Sequence, residues 1–110
     1  MDIPKFEPIV EKNIEKDNAI FTFNRIDRIN VKNANRFKIK VLRSIVNPKI
    51  NNIIIDLEGL EFMDTYGAQV LVTLRKFSRR KQKKFYLKNL SPEFKEIIDL
   101  LKLEKDFLII

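Results

Sequence analysis

The chain has 110 residues, which suits one domain with one modest hydrophobic core, and it contains neither cysteine nor histidine. Disulfides and thiolate chemistry are therefore excluded, and the commonest general base and metal ligand is absent. The formal net charge of +7 is compatible with binding to nucleic acid, to an anionic membrane or to an acidic protein partner. It is equally compatible with a lysine-rich surface that is simply solvated. Without a secretory pattern or an apolar run of roughly 20 residues, we expect a cytoplasmic domain with no membrane insertion.

The N-terminal part of the sequence predicts two strands joined by a turn. Phe6 to Glu11 reads as the first strand, and Pro8 places it at a sheet edge because proline cannot donate to a ladder. Asn13 to Asn18 is polar and turn-like, and Ala19 to Phe23 is a short run rich in β-formers. The following "NRIDRIN" predicts a loop.

Three helices are predicted from apolar residues at helical spacing. Asn33 is the expected cap of the first helix, which must stop before Pro48. The second helix runs roughly from Thr65 to Arg80, and Ser91 followed by Pro92 opens the third. The apolar stripes are Ala34, Phe37, Val41, Leu42 and Ile45 in the first helix, Ala68, Leu71, Val72, Leu74 and Phe77 in the second, and Phe94, Ile97, Ile98 and Leu101 in the third.

The remaining strands complete an alternating pattern. Asn52 to Leu57, "NIIIDL", is a continuous apolar run, which is typical of a strand buried on both faces of a parallel sheet. "KKFYLKN" predicts a fourth strand and "DFLII" a short terminal one. The order β-β-α-β-α-β-α-β predicts one α/β domain over residues 1–110, with a mostly parallel central sheet, an N-terminal edge hairpin and three helices.

Functional groups in open sheets of this kind gather where strands end and helices begin. One such junction carries Asp27, and another carries Asp64 and Thr65. Asp64 is well placed to cap the second helix, which would leave the Thr65 hydroxyl in the first turn facing solvent. Gly67 would keep that turn free of a side chain, so that a partner could approach closely. Tyr66 fits either an inconsequential surface residue or an interface aromatic.

Plainer interpretations of these residues stand beside the functional ones. Asp64 and Thr65 also fit a simple helix cap, Asp27 fits a turn residue, and Asp56 fits a residue that ends a strand and helps the loop turn. The three aspartates could converge for metal or acid/base chemistry. Without a histidine, a nucleophile or a glycine-rich phosphate loop, however, they predict no enzyme, metal site or cofactor.

The most basic stretch is "RKFSRRKQKKF", from Arg75 to Phe85, with seven cations. On a helix these cations spread around the axis, and they lie at the C-terminal end, where the helix dipole favours positive charge. The stretch therefore predicts a solvated helix end and no direct binding of nucleic acid.

Residues 51–109 read "NNIIIDLEGLEFMDTYGAQVLVTLRKFSRRKQKKFYLKNLSPEFKEIIDLLKLEKDFLI". This stretch, and with it most of the chain, resembles the STAS domain, the fold of bacterial anti-sigma factor antagonists. It has a strand ending in aspartate, then a variant of the family's Asp-Ser-Ser/Thr-Gly at a helix start, a basic helix end, a strand and a Ser-Pro-led helix. "NRIDRINVKNAN" is similar to the family's turn before the first helix. From the sequence we expect three helices without the family's usual C-terminal helix.

The resemblance implies regulated protein–protein contact without catalysis. Thr65 matches the position that is phosphorylated by a partner serine/threonine kinase, which is itself the anti-sigma factor. Asp64 matches the aspartate before the acceptor, Asp27 the loop aspartate near it, and Gly67 the glycine of the first helical turn. The implied partners are this kinase and a serine/threonine phosphatase. The implied binding surface comprises Asp27, Asp64, Thr65, Tyr66 and Gly67, and its engagement would release a sigma factor.

Some residues depart from the family pattern. Thr65 stands where serine is commonest, Tyr66 replaces a small hydroxyl residue, and Asn24 occupies the place of the loop glycine. The chain is also basic, whereas many phosphorylated antagonists are acidic. These departures keep a second interpretation open. In it, the chain is a non-catalytic STAS subunit of another assembly, such as a transporter or a stress-signalling complex, that works without phosphorylation.

Overall fold

The computed structural model describes residues 10–103, 105 and 107–110. In chain order the elements are β1 (Val10–Glu15), β2 (Asn18–Phe23), β3 (Arg28–Ile29), α1 (Ala34–Ile45), β4 (Asn52–Asp56), β5 (Phe62–Met63), α2 (Thr65–Arg80), β6 (Lys84–Lys88), α3 (Pro92–Leu100) and β7 (Leu108–Ile109).

Five strands form the main sheet in the order β1-β2-β4-β6-β7. The β1–β2 hairpin at its edge is antiparallel, and the other three pairs are parallel. The predicted α/β class, mostly parallel sheet, edge hairpin and three helices are therefore confirmed. A second sheet, not expected from the sequence, pairs the two-residue strands β3 and β5 in parallel.

The helices cover one side of the main sheet. Its strand order advances in a single direction from β2 to β7, and right-handed crossovers then place α1, α2 and α3 on the same side. We call this side the helix face; its strand residues are buried and comprise Ala19, Phe21, Ile53, Ile55, Phe85 and Leu87. The alternating residues form what we call the open face, on which Ile20, Ile54 and Tyr86 stay partly exposed.

The expectation that the "NIIIDL" strand is buried on both faces is therefore wrong. Ile53 and Ile55 lie under the helices and are fully buried, whereas Ile54 points to the open face. A continuous apolar run does not show whether one or both faces of a strand are covered, because that depends on the side of the sheet on which the helices pack.

The edge strand β1 ends later in the chain than expected, at Glu15. The predicted strand from Phe6 to Glu11 overlaps β1 only at its end, and residues 6–9 fall outside the described part of the chain. The predicted turn from Asn13 to Asn18 shrinks to residues 16 and 17, with Lys16 at a φ of 55°. Only Val10 of β1 is buried, so the strand shows no apolar alternation that the sequence could reveal.

The helix starts follow two different patterns. The Ser91 hydroxyl accepts a hydrogen bond from the Phe94 amide at 3.0 Å, which confirms the predicted cap of α3. Asn33 precedes α1 as predicted but makes no side-chain cap bond. Its amide group instead accepts from the Asn30 N–H and donates to the Arg28 carbonyl, each at 2.9 Å. Asn33 therefore shapes the loop after β3 rather than the helix end.

Candidate functional site

The two-stranded sheet β3–β5 fixes the positions of both candidate junctions. Arg28 pairs with Phe62 and Ile29 with Met63, so the residue before β3 and the residue after β5 lie at opposite ends of the ladder. The Asp27 carbonyl accepts the Glu61 amide at 2.7 Å at one end. At the other end, the Asp64 amide donates to the Ile29 carbonyl at 3.1 Å.

Asp64 caps α2, as the sequence predicts. Its Oδ1 accepts the Gly67 amide at 2.7 Å, with the backbone in the extended conformation that is usual at a cap. Its Oδ2 accepts the Val31 amide at 3.1 Å. The carboxylate therefore joins the helix start to the loop after β3, a contact across 33 residues that no local pattern could reveal.

Gly67 has a different role from the expected one. It is buried, and a Cβ at this position would lie 2.6 Å from the Ile29 carbonyl oxygen and 3.0 Å from Ile29 Cγ2. Because Gly67 has no side chain, the chain's own strand β3 packs closely against it. The expectation that Gly67 makes room for a partner is corrected accordingly, because its surface is already covered.

Thr65 is the first residue of α2 and is exposed. Within the described part of the chain, its hydroxyl has no hydrogen-bond partner. It stands at the end of a groove of about 430 Å³ between α2 and the segment that follows α3. We call this the α2 groove; its lining residues are Thr65, Ala68, Gln69, Val72, Thr73, Lys76, Leu101 and Leu103. The groove combines an apolar floor with one cation, a composition that suits a protein partner.

Tyr66 connects the first turns of two helices. It is half-buried against the core, and its hydroxyl donates to Asn35 Oδ1 at 2.6 Å. Asn35 lies in the first turn of α1. Neither of the two sequence interpretations of Tyr66 included this contact, which spans 31 residues and leaves no local signal.

Asp27 is exposed and forms a bidentate ion pair with its neighbour. Arg28 Nε donates to Oδ1 at 2.8 Å and Nη2 donates to Oδ2 at 3.2 Å. The hydrogen bond from Arg28 lowers the pKa of the Asp27 carboxyl below its ordinary value. The Arg28 guanidinium also lies 5.8 Å from the centre of the Phe62 ring.

The structure does not bring Asp27 into contact with Asp64 or Thr65. Asp27 lies opposite Glu61, and Glu61 is three residues before Asp64 in the chain. At about 3.3 Å per residue the two backbones are roughly 10 Å apart. The two aspartates therefore border one surface from opposite ends of the small sheet.

A basic basin of about 640 Å³ lies between the loop before β3 and the start of α1. Its charged lining residues are Arg25, Asp27, Arg28, Lys32 and Arg36. Because the single carboxylate is paired with Arg28, the basin carries a net positive charge. Of these charged residues only Asp27 was a candidate from the sequence, since the four cations are spread over 12 residues without a recognisable pattern.

Asp56 and one lysine of the basic stretch, Lys83, have structural roles. Asp56 Oδ1 accepts the Glu58 amide at 3.1 Å and the Asn89 side chain at 2.9 Å, so Asp56 turns the loop as expected. In the basic stretch, Lys83 donates to the carbonyls of Asn47 and Ile50. Across residues 10–103, 105 and 107–110, no three acidic side chains are grouped so that they could hold a metal ion.

A sequence model of the STAS domain matches residues 11–110, so the chain belongs to the STAS domain family. Its fold matches an anti-sigma-factor antagonist (STAS) domain protein from Planctomyces limnophilus with a TM-score of 0.81 and 19% identity, over 92% of this chain and 87% of that one. The phosphorylated form of the Bacillus cell fate determinant SpoIIAA matches with a TM-score of 0.69 and 16% identity, over 92% and 90% of the two chains.

The same fold is also similar to part of a murine anion transporter, Solute Carrier 26 family member A9. That match has a TM-score of 0.66 and 19% identity, and it covers 80% of this chain and 14% of the transporter. No curated protein sequence matches the chain. None of the described helices is both long and apolar enough to cross a bilayer.

Proposed function

We propose that this STAS domain is an anti-sigma factor antagonist that binds an anti-sigma factor with serine/threonine kinase activity. The observation that carries the proposal is the exposed hydroxyl of Thr65 at the first position of α2, directly after its capping aspartate. A kinase could reach this hydroxyl without unfolding the domain. Support also comes from the Bacillus antagonist SpoIIAA, a similar fold that exists in phosphorylated and unphosphorylated forms.

Phosphorylation of Thr65 would act as an electrostatic switch. It adds about −1.5 to −2 charges to the first turn of α2. In the free domain the helix dipole favours such a charge by about 0.3–1 kcal/mol. A partner packed on the α2 groove would instead bury an unpaired dianion, which costs several kcal/mol. The interface would break while the domain stays folded, and a serine/threonine phosphatase would restore binding.

The proposed binding surface divides into contact residues and positioning residues. Thr65, the exposed edge of Tyr66 and the Asp27 loop are available to a partner, together with the apolar floor of the α2 groove. Gly67 is buried, and both carboxylate oxygens of Asp64 accept backbone amides. We therefore assign these last two residues to holding α2 against the small sheet.

The charge of the surface indicates the character of the partner. The basic basin adjoins the Asp27 loop and contains more cations than carboxylates. An anti-sigma factor that binds here would present acidic side chains to the basin, because like charges facing each other at an interface weaken association. Its engagement would release a sigma factor and so regulate transcription. The domain itself is a kinase substrate in this scheme and needs no catalytic group.

Affinity capture followed by phosphorylation tests the proposal. The chain is used as bait in extract of its native cell, and the captured protein is then purified and incubated with the domain and ATP. We expect the captured protein to be a kinase that labels Thr65. Thr65→Ala should abolish labelling, whereas Thr65→Ser should retain it. Ser44 and Ser78 are buried and should stay unlabelled, so labelling confined to other hydroxyls would contradict the proposal.

A second candidate is a STAS subunit of another assembly that works without phosphorylation. The occurrence of the same fold as 14% of a murine anion transporter favours this candidate. The capture experiment separates the two. A transporter or stress-signalling complex in the captured material, with Thr65 unlabelled, would support the second candidate.

A further inference from the structure

An apolar row crosses the open face of the main sheet. The strand register aligns Ile20 with Ile54, Ile54 with Tyr86 and Tyr86 with Leu108, so these four side chains are neighbours on consecutive strands. The first three are partly exposed, and Leu108 is 50% exposed. Among the described residues, no helix covers this row, because α1, α2 and α3 all lie on the other face.

Opposite charges flank this apolar row at its two sides. On β1, Glu11 and Glu15 lie two residues on either side of Asn13, which pairs with Ile20. On β6, Lys84 and Lys88 lie two residues on either side of Tyr86. Since side chains two apart on a strand share a face, all four charges border the apolar row, and all four are exposed. The open face is therefore acidic along β1 and basic along β6.

We propose that two copies of this chain associate through their open faces about a two-fold axis parallel to the strands. In the sheet order, β2 and β4 lie between β1 and β6. Rotation about an axis midway between β2 and β4 therefore places β1 of one copy over β6 of the other. Glu11 then faces Lys88 of the second copy and Glu15 faces its Lys84, while Ile20 faces its Ile54.

This arrangement makes a second copy the best match among possible occupants. A two-fold interface requires one surface to be complementary to itself, and the acidic and basic sides of the open face meet this requirement. Each ion pair occurs twice. The α2 groove and the Asp27 loop belong to the helix side of the domain, so both copies keep their candidate sites free.

The size of the face predicts how strong the association is. The four strands that overlap in this arrangement are β1, β2, β4 and β6, whereas β7 lies beyond the overlap. Spaced by about 4.8 Å, with about five residues each rising 3.3 Å, they give a face of roughly 19 by 17 Å, or about 320 Å² per copy. This is less than half of a standard interface, which buries roughly 800 Å² per partner. We therefore expect a reversible dimer with a dissociation constant in the micromolar range or weaker.

Sedimentation velocity across a wide range of protein concentrations, with charge-reversed variants, tests the proposal. The wild-type chain should shift from monomer to dimer as concentration rises. The double variant Glu11→Lys with Glu15→Lys carries cations on both sides of the face, and Lys84→Glu with Lys88→Glu carries acids on both sides. Each variant alone should dimerise at least tenfold more weakly than wild type. An equimolar mixture of the two should restore the dimer, because every facing pair is again of opposite charge.

A matched control changes the same net charge elsewhere. Arg43→Glu with Arg80→Glu alters one exposed residue on α1 and one on α2, matches the charge change of the lysine variant and should dimerise like wild type. Circular dichroism shows whether each variant is folded, and the recovery on mixing is itself possible only for folded chains. A wild-type chain that stays monomeric at every concentration would overturn the proposal. So would variants that dimerise like wild type, or a mixture of the two variants that remains monomeric.

Discussion

Gly67 packs directly against the backbone carbonyl of Ile29: a Cβ at Gly67 would lie only 2.6 Å from that oxygen. The contact seats the first turn of α2 on the two-stranded sheet. Asp64 reinforces it from the helix start by accepting the amides of Gly67 and Val31. The exposed position of Thr65 is therefore a consequence of the contacts that Asp64 and Gly67 make on either side of it.

The Ile29 contact predicts that Gly67→Ala destabilises the domain. The added methyl group must displace backbone, which cannot move as a flexible side chain could, so we expect a loss of about 1–3 kcal/mol. Domains of about 100 residues lose roughly 4–8 °C of melting temperature per kcal/mol, which thermal unfolding readily detects. Gln69→Ala, at an exposed site on the same helix, should change little. An unchanged melting temperature for Gly67→Ala would contradict the contact.

The double role of the Asp64 carboxylate predicts a graded series of variants. Asp64→Ala removes both acceptors and should cost about 0.5–2 kcal/mol, the range for loss of a helix cap. Asp64→Asn keeps an oxygen for the Gly67 amide but turns a donor toward the Val31 amide. It should therefore lose less stability than the alanine variant in denaturant unfolding. Equal losses in the two variants would show that the cap bond to Gly67 is not the stabilising contact.

The ion pair of Asp27 predicts a titration shift. Because Arg28 lowers the folded pKa of Asp27, the pair contributes stability at pH above the unfolded pKa of about 3.9, and this contribution is lost as pH falls through the lowered folded value. Carboxyl NMR titration should place the midpoint of Asp27 below that of a model aspartate, and Arg28→Gln should raise it. Arg36→Gln, in the same basin but without a bond to Asp27, is the control. An unmoved midpoint in Arg28→Gln would refute the assignment.

The basic stretch from Arg75 to Lys84 is predicted to bind nucleic acid only weakly. Two of its cations are engaged within the domain, since Lys83 is held by the carbonyls of Asn47 and Ile50 and Lys81 lies over the ring of Phe77. Arg75, Arg79, Lys83 and Lys84 line a pocket of about 240 Å³, which is too small for a nucleic-acid strand to follow. Fluorescence anisotropy with duplex DNA and single-stranded RNA should show low affinity and the steep salt dependence of counterion release. Sub-micromolar binding that persists near physiological salt would be incompatible with this prediction.

The helices were predictable because their signals are local. The apolar spacing of a helix and the caps at Ser91 and Asp64 each involve residues within about one helical turn of one another. The predicted bounds of α2 agree with the observed ones. The Thr65 position was predictable for the same reason.

The contacts that hold the site together could not be read from the sequence. β3 and β5 are two residues each, too short for any periodicity, and their pairing joins segments more than 30 residues apart. The hydrogen bonds between Asp64 and Val31 and between Tyr66 and Asn35 also join residues that are more than 30 positions apart in the sequence. The end of the edge strand β1 was predicted too early because it depends on pairing with β2 and hardly on burial of the strand's own residues.

The most direct test of the account is to titrate the acidic variants of Thr65 against the captured kinase by calorimetry, with thermal melting of each variant alongside. Thr65→Asp and Thr65→Glu should melt close to wild type, because the residue is exposed and the helix dipole favours an acid there. Both should bind the partner about thirtyfold more weakly, which corresponds to a loss of roughly 2 kcal/mol. Unchanged affinity in both acidic variants and in Thr65→Ala would show that the junction is only a helix cap. A collapse of the melting temperature would contradict the exposed placement of Thr65 on which the proposed switch depends.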